Sequence, residues 1–331
     1  MNHPQRRQFL LRTLAASIAP ALAPSAFAQT GNSRPLTIVV PFAPAGTTDL
    51  LGRMVAQRLA PALARTVIVE NKPGAGTSIG AAYVARAAAD GDTLLLATST
   101  TLAVNPTLYK KLPYDPQRDF APVAMIAAVP LVVIVSPKLP VRNLAEFVAL
   151  ARSKPEGLSY GSAGSGTPQH LGAEIFQSVT GTKMVHVPYK GSSPALMDLL
   201  AGQLDFMFCD IQPALAHIRG GKLKALAVTS SHTQPALPGV PTVASSGIPG
   251  TADFDVVAWQ SLVAPKATPD AIVQRYSREM ATIMQDAKLR AALEQEGIEP
   301  RYMASADFGP FIAKEARRWG DAVTASGAVV S

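Results

Sequence analysis

The segment Leu36-Thr-Ile-Val-Val-Pro-Phe-Ala-Pro-Ala-Gly-Thr-Thr-Asp49 contains the transition that indicates the fold of this chain. Its first five residues form a short apolar run rich in β-branched side chains, which predicts a buried strand. A Pro/Gly loop follows, and apolar residues then recur at helical spacing from about Thr48 to Leu63. Such a junction can present free backbone N–H groups and hydroxyls at the positive end of a helix dipole. This geometry captures anions.

The same order of strand, small polar loop and helix occurs twice more. Lys72-Pro-Gly-Ala-Gly-Thr-Ser78 follows a second β-type run, and Tyr160-Gly-Ser-Ala-Gly-Ser-Gly-Thr-Pro-Gln-His170 leads into a helix predicted from Pro168 to Gly181. A third strand at Thr93–Ala97 completes a β-α-β-α-β pattern, which is typical of a parallel sheet covered by helices. Ligands of open α/β sheets bind beyond the carboxyl ends of the strands. We therefore expect the three loops to face one cleft.

The length and the distribution of strands predict two α/β lobes with a cleft and a hinge between them. Extended runs at Val123–Ser136 and Val256–Ala264 are predicted to cross from one lobe to the other. Lobe 1 is then expected to comprise residues 34–130 and 256–331, and lobe 2 residues 131–255.

The first 28 residues have the composition of an export signal. Arg6, Arg7 and Arg12 precede or interrupt a short apolar stretch, and Ala26-Phe27-Ala28 forms a small-residue cleavage site. The Arg pair favours a twin-arginine signal, with an ordinary secretory signal as the alternative; both predict a periplasmic protein. Without this segment the net charge of +7 falls to +4, and basic residues do not alternate with aromatic ones, so nucleic acid is not an expected partner.

The loops lack the residues that several kinds of catalysis require. The second loop has the wrong spacing for a dinucleotide site, and the third has neither the lysine of a phosphate loop nor a G-x-S-x-G serine. His170 is expected to brace its loop. The histidines and the single Cys209 show no metal-ligand spacing, and neither metal nor cofactor is predicted. The alternatives left open are a secreted serine hydrolase using Ser162 or Ser165, a sensory subunit for a membrane kinase, and an orphan binder.

A series of motifs follows the chain in a fixed order. They are Pro41–Asp49, Glu70–Gly76, Asp90–Leu95, Tyr160–Gly166, His170-Leu171, Val187–Gly191, Asp198–Asp205, Leu237–Thr242 and Trp259. Taken in order, these motifs resemble those of the Bug family, the extracytoplasmic solute-binding receptors of tripartite tricarboxylate transporters, and the resemblance covers essentially the whole mature chain. In two places the chain departs from the family pattern: Ala45 stands where the first loop usually has Gly, and Thr77 where the second has a further Gly.

The resemblance implies a two-lobed periplasmic binding protein of the Venus flytrap type, type II-like, with two crossover strands. It also implies a small organic carboxylate as ligand, no enzymatic activity, and delivery to a permease with one large and one small subunit; we expect a monomer. The residues expected to contact the ligand are Ala45, Gly46, Thr47, Thr48, Gly76, Thr77, Ser78, Ser99, Thr100, Ser162, Gly164, Ser165, Gly166, Thr167 and Asp210.

Overall fold

The computed structural model describes residues 34–326, with side chains described to residue 324, so the predicted export signal lies outside the described residues. No helix in this range is long and apolar enough to cross a membrane. The strands are β1 (Leu36–Val40), β2 (Val67–Asn71), β3 (Thr93–Thr98), β4 (Phe120–Val135), β5 (Leu158–Ser162), β6 (Met184–Pro188), β7 (Phe206–Asp210), β8 (Lys224–Val228), β9 (Val257–Pro265) and β10 (Glu299–Ala304). The helices are α1 (Thr47–Leu63), α2 (Ser78–Ala85), α3 (Asn105–Leu108), α4 (Leu144–Ser153), α5 (Pro168–Thr180), α6 (Ser192–Ala201), α7 (Ile211–Arg219), α8 (Asp270–Gln285), α9 (Ala287–Gln295) and α10 (Ser305–Ser326).

The strands form one mixed sheet in the order β2-β1-β3-β9-β4-β7-β5-β6, with β8 and β10 also paired to β4. The strands are parallel in each outer part, where β1 pairs with β2 and β3, and β5 pairs with β6 and β7. In the middle, β4 and β9 run antiparallel to their neighbours. The parallel βα pattern predicted for the beginning of the chain is therefore confirmed.

Strand β4 is the long crossing strand that the sequence predicts. As far as Pro130 it pairs with β9, and from Leu131 onward it pairs with β7 and β8. The change of partners lies at the predicted boundary between the lobes. The bounds of the lobes stay a prediction, and the names lobe 1 and lobe 2 are used for them below.

The close packing of α1 on the sheet positions the first loop. Leu51, Val55 and Leu59 are fully buried on one face of α1, as the spacing of apolar residues predicts. A β-carbon at Gly52 would lie 2.7 Å from a methyl group of Val40, so only glycine lets the helix lie this close to β1. The beginning of α1 is thereby held just beyond the carboxyl end of β1.

Some elements differ from the predictions. The sequence after the second loop predicts a helix at Thr77–Ala89, and α2 is shorter than this. The Pro-rich stretch from Asn105 to Pro122, for which the sequence predicts no helix, contains α3, which continues a π-helical turn at Thr100–Val104. Helices α7 and α9 and strand β10 were not predicted. The β10 sequence, Glu299-Pro-Arg-Tyr-Met-Ala304, has no apolar alternation, and Pro300 lies where its pairing with β4 shifts register. It is a strand because β4 offers it a free edge.

Candidate ligand-binding site

A small cavity lies beyond the carboxyl ends of β1, β3 and β7, where the starts of several helices meet. Its volume is about 20 Å³, room for about one water molecule. Beside it the N–H of Ala43 in lobe 1 donates to the carbonyl oxygen of Lys190 in lobe 2 at 3.0 Å. The lining residues are Phe42, Ala43, Gly46, Thr47, Thr48, Thr98, Ser99, Thr100, Ala163, Pro168, Gln169, Ser192, Asp210, Ala258 and Gln260.

The beginning of α1 forms one wall of this cavity. Gly46 caps the helix in an extended conformation, and Gly46, Thr47 and Thr48 all line the cavity. The first N–H groups of a helix have no partner within the helix, and they lie at the positive end of its dipole. The Thr48 hydroxyl accepts a hydrogen bond from the Gln260 side chain at 3.2 Å, which ties the helix start to β9. This wall is suited to an anion.

Asp49 braces the first loop rather than lining the cavity. Its carboxylate accepts hydrogen bonds from the Ala45 N–H at 3.1 Å, from Asn71 at 2.9 Å and from Arg53 at 2.9 and 3.1 Å. Burial alone would raise its pKa, but these donors outweigh burial and hold the pKa below its ordinary value. Asp49 therefore stays ionised and fixes the loop.

Besides the Thr47 hydroxyl, which interacts with the Asp210 carboxylate, four buried side-chain oxygens of the cavity wall have no hydrogen-bond partner within the described residues. They are Ser99 Oγ, Thr100 Oγ1, Gln169 Oε1 and Gln260 Oε1. Buried polar atoms of native proteins nearly always have a partner, which can be protein, water or ligand. Their convergence on one cavity marks it as a place where a polar molecule binds.

Asp210 supplies the only carboxylate among the lining residues. It lies at the end of β7 and is 5% exposed. Gln169 Nε2 donates to its Oδ1 at 2.7 Å, and the Ser192 hydroxyl donates to its Oδ2 at 3.3 Å. Burial raises the pKa of Asp210, although the hydrogen bonds from Thr47, Ser192 and Gln169 oppose this effect.

The structure brings together part of the predicted ligand-contact set. Gly46, Thr47, Thr48, Ser99, Thr100 and Asp210 line the cavity. The lining does not include Ala45, Gly76, Thr77, Ser78, Ser162, Gly164, Ser165, Gly166 or Thr167. Ala45 turns outward at φ 65°, and its N–H is already bonded to Asp49.

The second loop contacts the polar groups of α3 and the π-helical turn instead. Asn105 Nδ2 donates to the Gly76 carbonyl at 2.8 Å, and the Thr101 hydroxyl donates to the Thr77 hydroxyl at 2.9 Å. Gly76 has φ 52°, and a β-carbon there would lie 2.7 Å from the carbonyl oxygen of Ser165. The second and third loops therefore touch each other across the two lobes, outside the cavity.

The third loop is held by two stacked histidines. His170 Nδ1 accepts a hydrogen bond from the Gly166 N–H at 3.1 Å, and its ring lies 4.0 Å from that of His186. Burial, together with the nearby His170, lowers the pKa of His186 to about 3. His170 thus braces its loop, as expected from the sequence.

A serine lies against the same histidine pair, and this contact bears on the hydrolase alternative. Ser162 Oγ lies 2.6 Å from His186 Nε2, a distance that suits a nucleophile and its base. However, Ser162 is fully buried, and its hydroxyl is also hydrogen bonded to the backbone of Gly164. No carboxylate of the described residues bonds to His186. A base with a pKa near 3 is also too weak to activate a serine at neutral pH.

Sequence analysis did not select four polar residues of the cavity: Thr98, Gln169, Ser192 and Gln260. Gln260 interrupts the apolar run of β9, and a polar residue inside a buried strand is a usable signal. Gln169 and Ser192 lie at the starts of α5 and α6, where polar residues are common for capping alone.

The tripartite tricarboxylate transporter family receptor model matches residues 51–328 of this chain. The chain belongs to this receptor family. The receptor is 36% identical over 321 residues to the protein BugT of Bordetella pertussis, which covers 96% of this chain and 98% of BugT. It is not an enzyme but a solute-binding protein, because the family and its structural neighbours are binding proteins.

Solved structures of similar proteins agree with the fold of the receptor. A structure of Rpa4515 from R. palustris with adipate has a TM-score of 0.86 at 34% identity, covering 90% of this chain and 98% of that one. The periplasmic binding protein BugD has a TM-score of 0.84 at 33% identity, covering 89% of this chain and 98% of BugD. The predicted α/β fold of a two-lobed periplasmic binding protein is therefore confirmed.

Proposed function

We propose that this receptor captures a small organic carboxylate between lobe 1 and lobe 2 and delivers it to the permease of a tripartite tricarboxylate transporter. The permease has one large and one small membrane subunit. The receptor works in the periplasm, where the predicted export signal would take it. It binds its ligand as a monomer.

The proposal depends on one observation, the convergence of buried unpartnered oxygens with the start of α1. Ser99 and Thr100 are fully buried, and their hydroxyls can donate to an anion that also accepts from the first N–H groups of α1. Hydrogen bonds to a charged partner are about twice as strong as those between neutral groups. A carboxylate, with two acceptor oxygens, satisfies several of these donors at once.

Ligand entry requires the walls of the cavity to part. A cavity of about 20 Å³ is far smaller than a carboxylate with several carbon atoms. The walls come from both lobes, and the backbone bond between Ala43 and Lys190 also joins them. A ligand that contacts both lobes favours the arrangement in which they meet, which is the population shift that a receptor uses as its signal.

The ligand class and the partner are also supported by the relatives. The similar protein Rpa4515 has been solved with adipate, a dicarboxylate. The family description connects the receptor to a tricarboxylate transporter.

Calorimetric titration of the mature receptor with a panel of mono-, di- and tricarboxylates tests the binding function. We expect micromolar affinity, about −8 kcal/mol, for at least one compound. Ser99→Ala and Thr100→Val should each weaken that affinity about tenfold or more, because each removes a donor to a buried charge. Thr282→Val is the matched control, because this hydroxyl is exposed on α8.

The site of binding is tested by the same titrations. Ser165→Ala should weaken binding less than Ser99→Ala, because Ser165 lies outside the cavity lining. Absence of binding by every carboxylate at millimolar concentration would contradict the proposed function. Delivery is tested by uptake of the bound carboxylate in cells with and without the receptor; equal uptake in both would contradict the role in transport.

A further inference from the structure

We infer that the ligand carries an ammonium group beside its carboxylate, so that the receptor binds an amino acid and holds its ammonium with Asp210, Gln169 and Gln260. The inference rests on the proposed function, because it assigns the second end of the same ligand. It follows from counting hydrogen-bond donors and acceptors in the cavity wall.

The two glutamines present acceptors, not donors. Gln169 Nε2 bonds to the Asp210 carboxylate, which can only accept, so the orientation of this amide is fixed and its Oε1 is left without a donor. Gln260 Nε2 bonds to the Thr48 hydroxyl, and in this orientation Gln260 Oε1 is also left without a donor, although a hydroxyl, unlike a carboxylate, could itself donate to the amide oxygen. Each glutamine is 5% exposed. In these orientations both amide oxygens need a donor that the described residues do not supply.

Asp210 adds a third acceptor group with a charge. An ionised carboxylate has about four lone-pair sites, and the Gln169, Ser192 and Thr47 side chains use at most three of them. None of the lining residues is a lysine, an arginine or a histidine. A buried carboxylate without a cation is costly, so a ligand that brings a positive charge gains from this wall.

An ammonium group matches these three acceptors better than the alternatives. It carries three N–H donors and one positive charge, whereas a hydroxyl carries a single donor. The second carboxylate of a plain dicarboxylate would bring a like charge to Asp210 in a dry cavity, which disfavours both ions. A zwitterion places its anion at the positive end of α1 and its cation at Asp210.

Titrations with acids matched in carbon skeleton test the inference on the unmodified receptor. The pairs are alanine with propionate, aspartate with succinate, and glutamate with glutarate. We expect the amino acid to bind about tenfold or more tightly than its plain partner in the pair whose length fits. The inference would be overturned if the plain acid of that pair bound as tightly as the amino acid or more tightly. It would also be overturned if, in the wider panel, only carboxylates without an amine bound. Either result would leave the proposed function intact. If no carboxylate of any kind binds, the proposed function fails instead.

Substitution of Asp210 tests its assigned role. Asp210→Asn keeps the size of the side chain and removes its charge, so affinity for the amino acid should fall about 10- to 100-fold while affinity for the plain acid stays equal or rises. Asp253→Asn, at an exposed position, is the control. An equal loss for both ligands in Asp210→Asn would overturn the assignment. If Asp210→Asn does not fold, Gln260→Leu replaces it with the same expected change of preference.

Discussion

The bracing carboxylate of the first loop allows a prediction whose size can be worked out from its contacts. Asp49→Ala removes the acceptor for the Ala45 N–H and for Asn71 and breaks the pair with Arg53. Asp49 has a side-chain exposure of 5%, but that of Arg53 is 58%. An exposed ion pair contributes about 0–1 kcal/mol, whereas a hydrogen bond to a buried charge contributes about 1.5–3 kcal/mol. We therefore expect Asp49→Ala, which removes two such hydrogen bonds, to lower the free energy of unfolding by about 3–6 kcal/mol and Arg53→Ala by less than about 1 kcal/mol.

Urea denaturation of the two variants, followed by circular dichroism, measures this difference. The pKa of Asp49 in the folded protein lies below its ordinary value, so its stabilisation is fully present above the unfolded pKa, about 4. It is lost as the pH falls further, through the folded pKa. Below the unfolded pKa the gap between the wild type and Asp49→Ala should therefore narrow progressively. Equal losses in Asp49→Ala and Arg53→Ala at pH 7 would refute the reasoning, because the exposed ion pair would then account for the whole effect.

Two further predictions concern the second and third loops. Gly76→Ala should lower carboxylate affinity and the thermal midpoint, because a β-carbon at this positive-φ position would lie 2.7 Å from the carbonyl oxygen of Ser165. Gly239→Ala is the control, because Gly239 also has positive φ but has open space around it. Equal effects of the two variants would contradict the contact between the loops. The pKa of His186 is lowered to about 3 in the folded protein, so its contribution to stability is complete above the unfolded pKa of about 6.5 and is lost as the pH falls from there towards 3. The thermal midpoint of the wild type should fall across this range more steeply than that of His186→Gln, and parallel pH profiles would contradict the assignment.

Local signals in the sequence indicate the parts of the cavity wall that single junctions build: Gly46, Thr47 and Thr48 lie at a helix start directly after a strand, and Asp210 lies at a strand end. Ser99 and Thr100, at the end of β3, were expected only from the family resemblance. The strands β1 and β3 are parallel, and β7 runs in the opposite direction on the far side of β9 and β4, so the carboxyl ends of β1 and β3 face that of β7 across the cavity.

The second loop could not be placed from its own residues. Its composition is typical of an anion site, but Asn105 and Thr101 already form hydrogen bonds with its polar groups. Both residues belong to the π-helical turn and α3, which a Pro-rich sequence does not predict. The third loop is similar, because its N–H at Gly166 is bonded to His170. The polar groups of a loop can therefore form hydrogen bonds with residues that only the tertiary structure brings near, and the sequence does not reveal these partners.

Gln260 was missed for a related reason. It lies 212 residues from Thr48 in the chain, and β9 brings it to the cavity only because β9 inserts between β3 and β4. No local pattern fixes where a returning strand enters a sheet, since the entry depends on which edges are already paired.

The two lobes bring different chemistry to the cavity, and this difference has a consequence for closure. Lobe 1 presents the helix start and the hydroxyls of Ser99 and Thr100, which favour an anion, while lobe 2 presents Asp210, which favours a cation or a donor. A simple anion gains its contacts from lobe 1 and meets a like charge when lobe 2 approaches. A ligand with charge of both signs gains from the approach of both lobes. Because a ligand shifts an equilibrium only by its difference in affinity for the two states, the second kind of ligand closes the receptor more completely than the first.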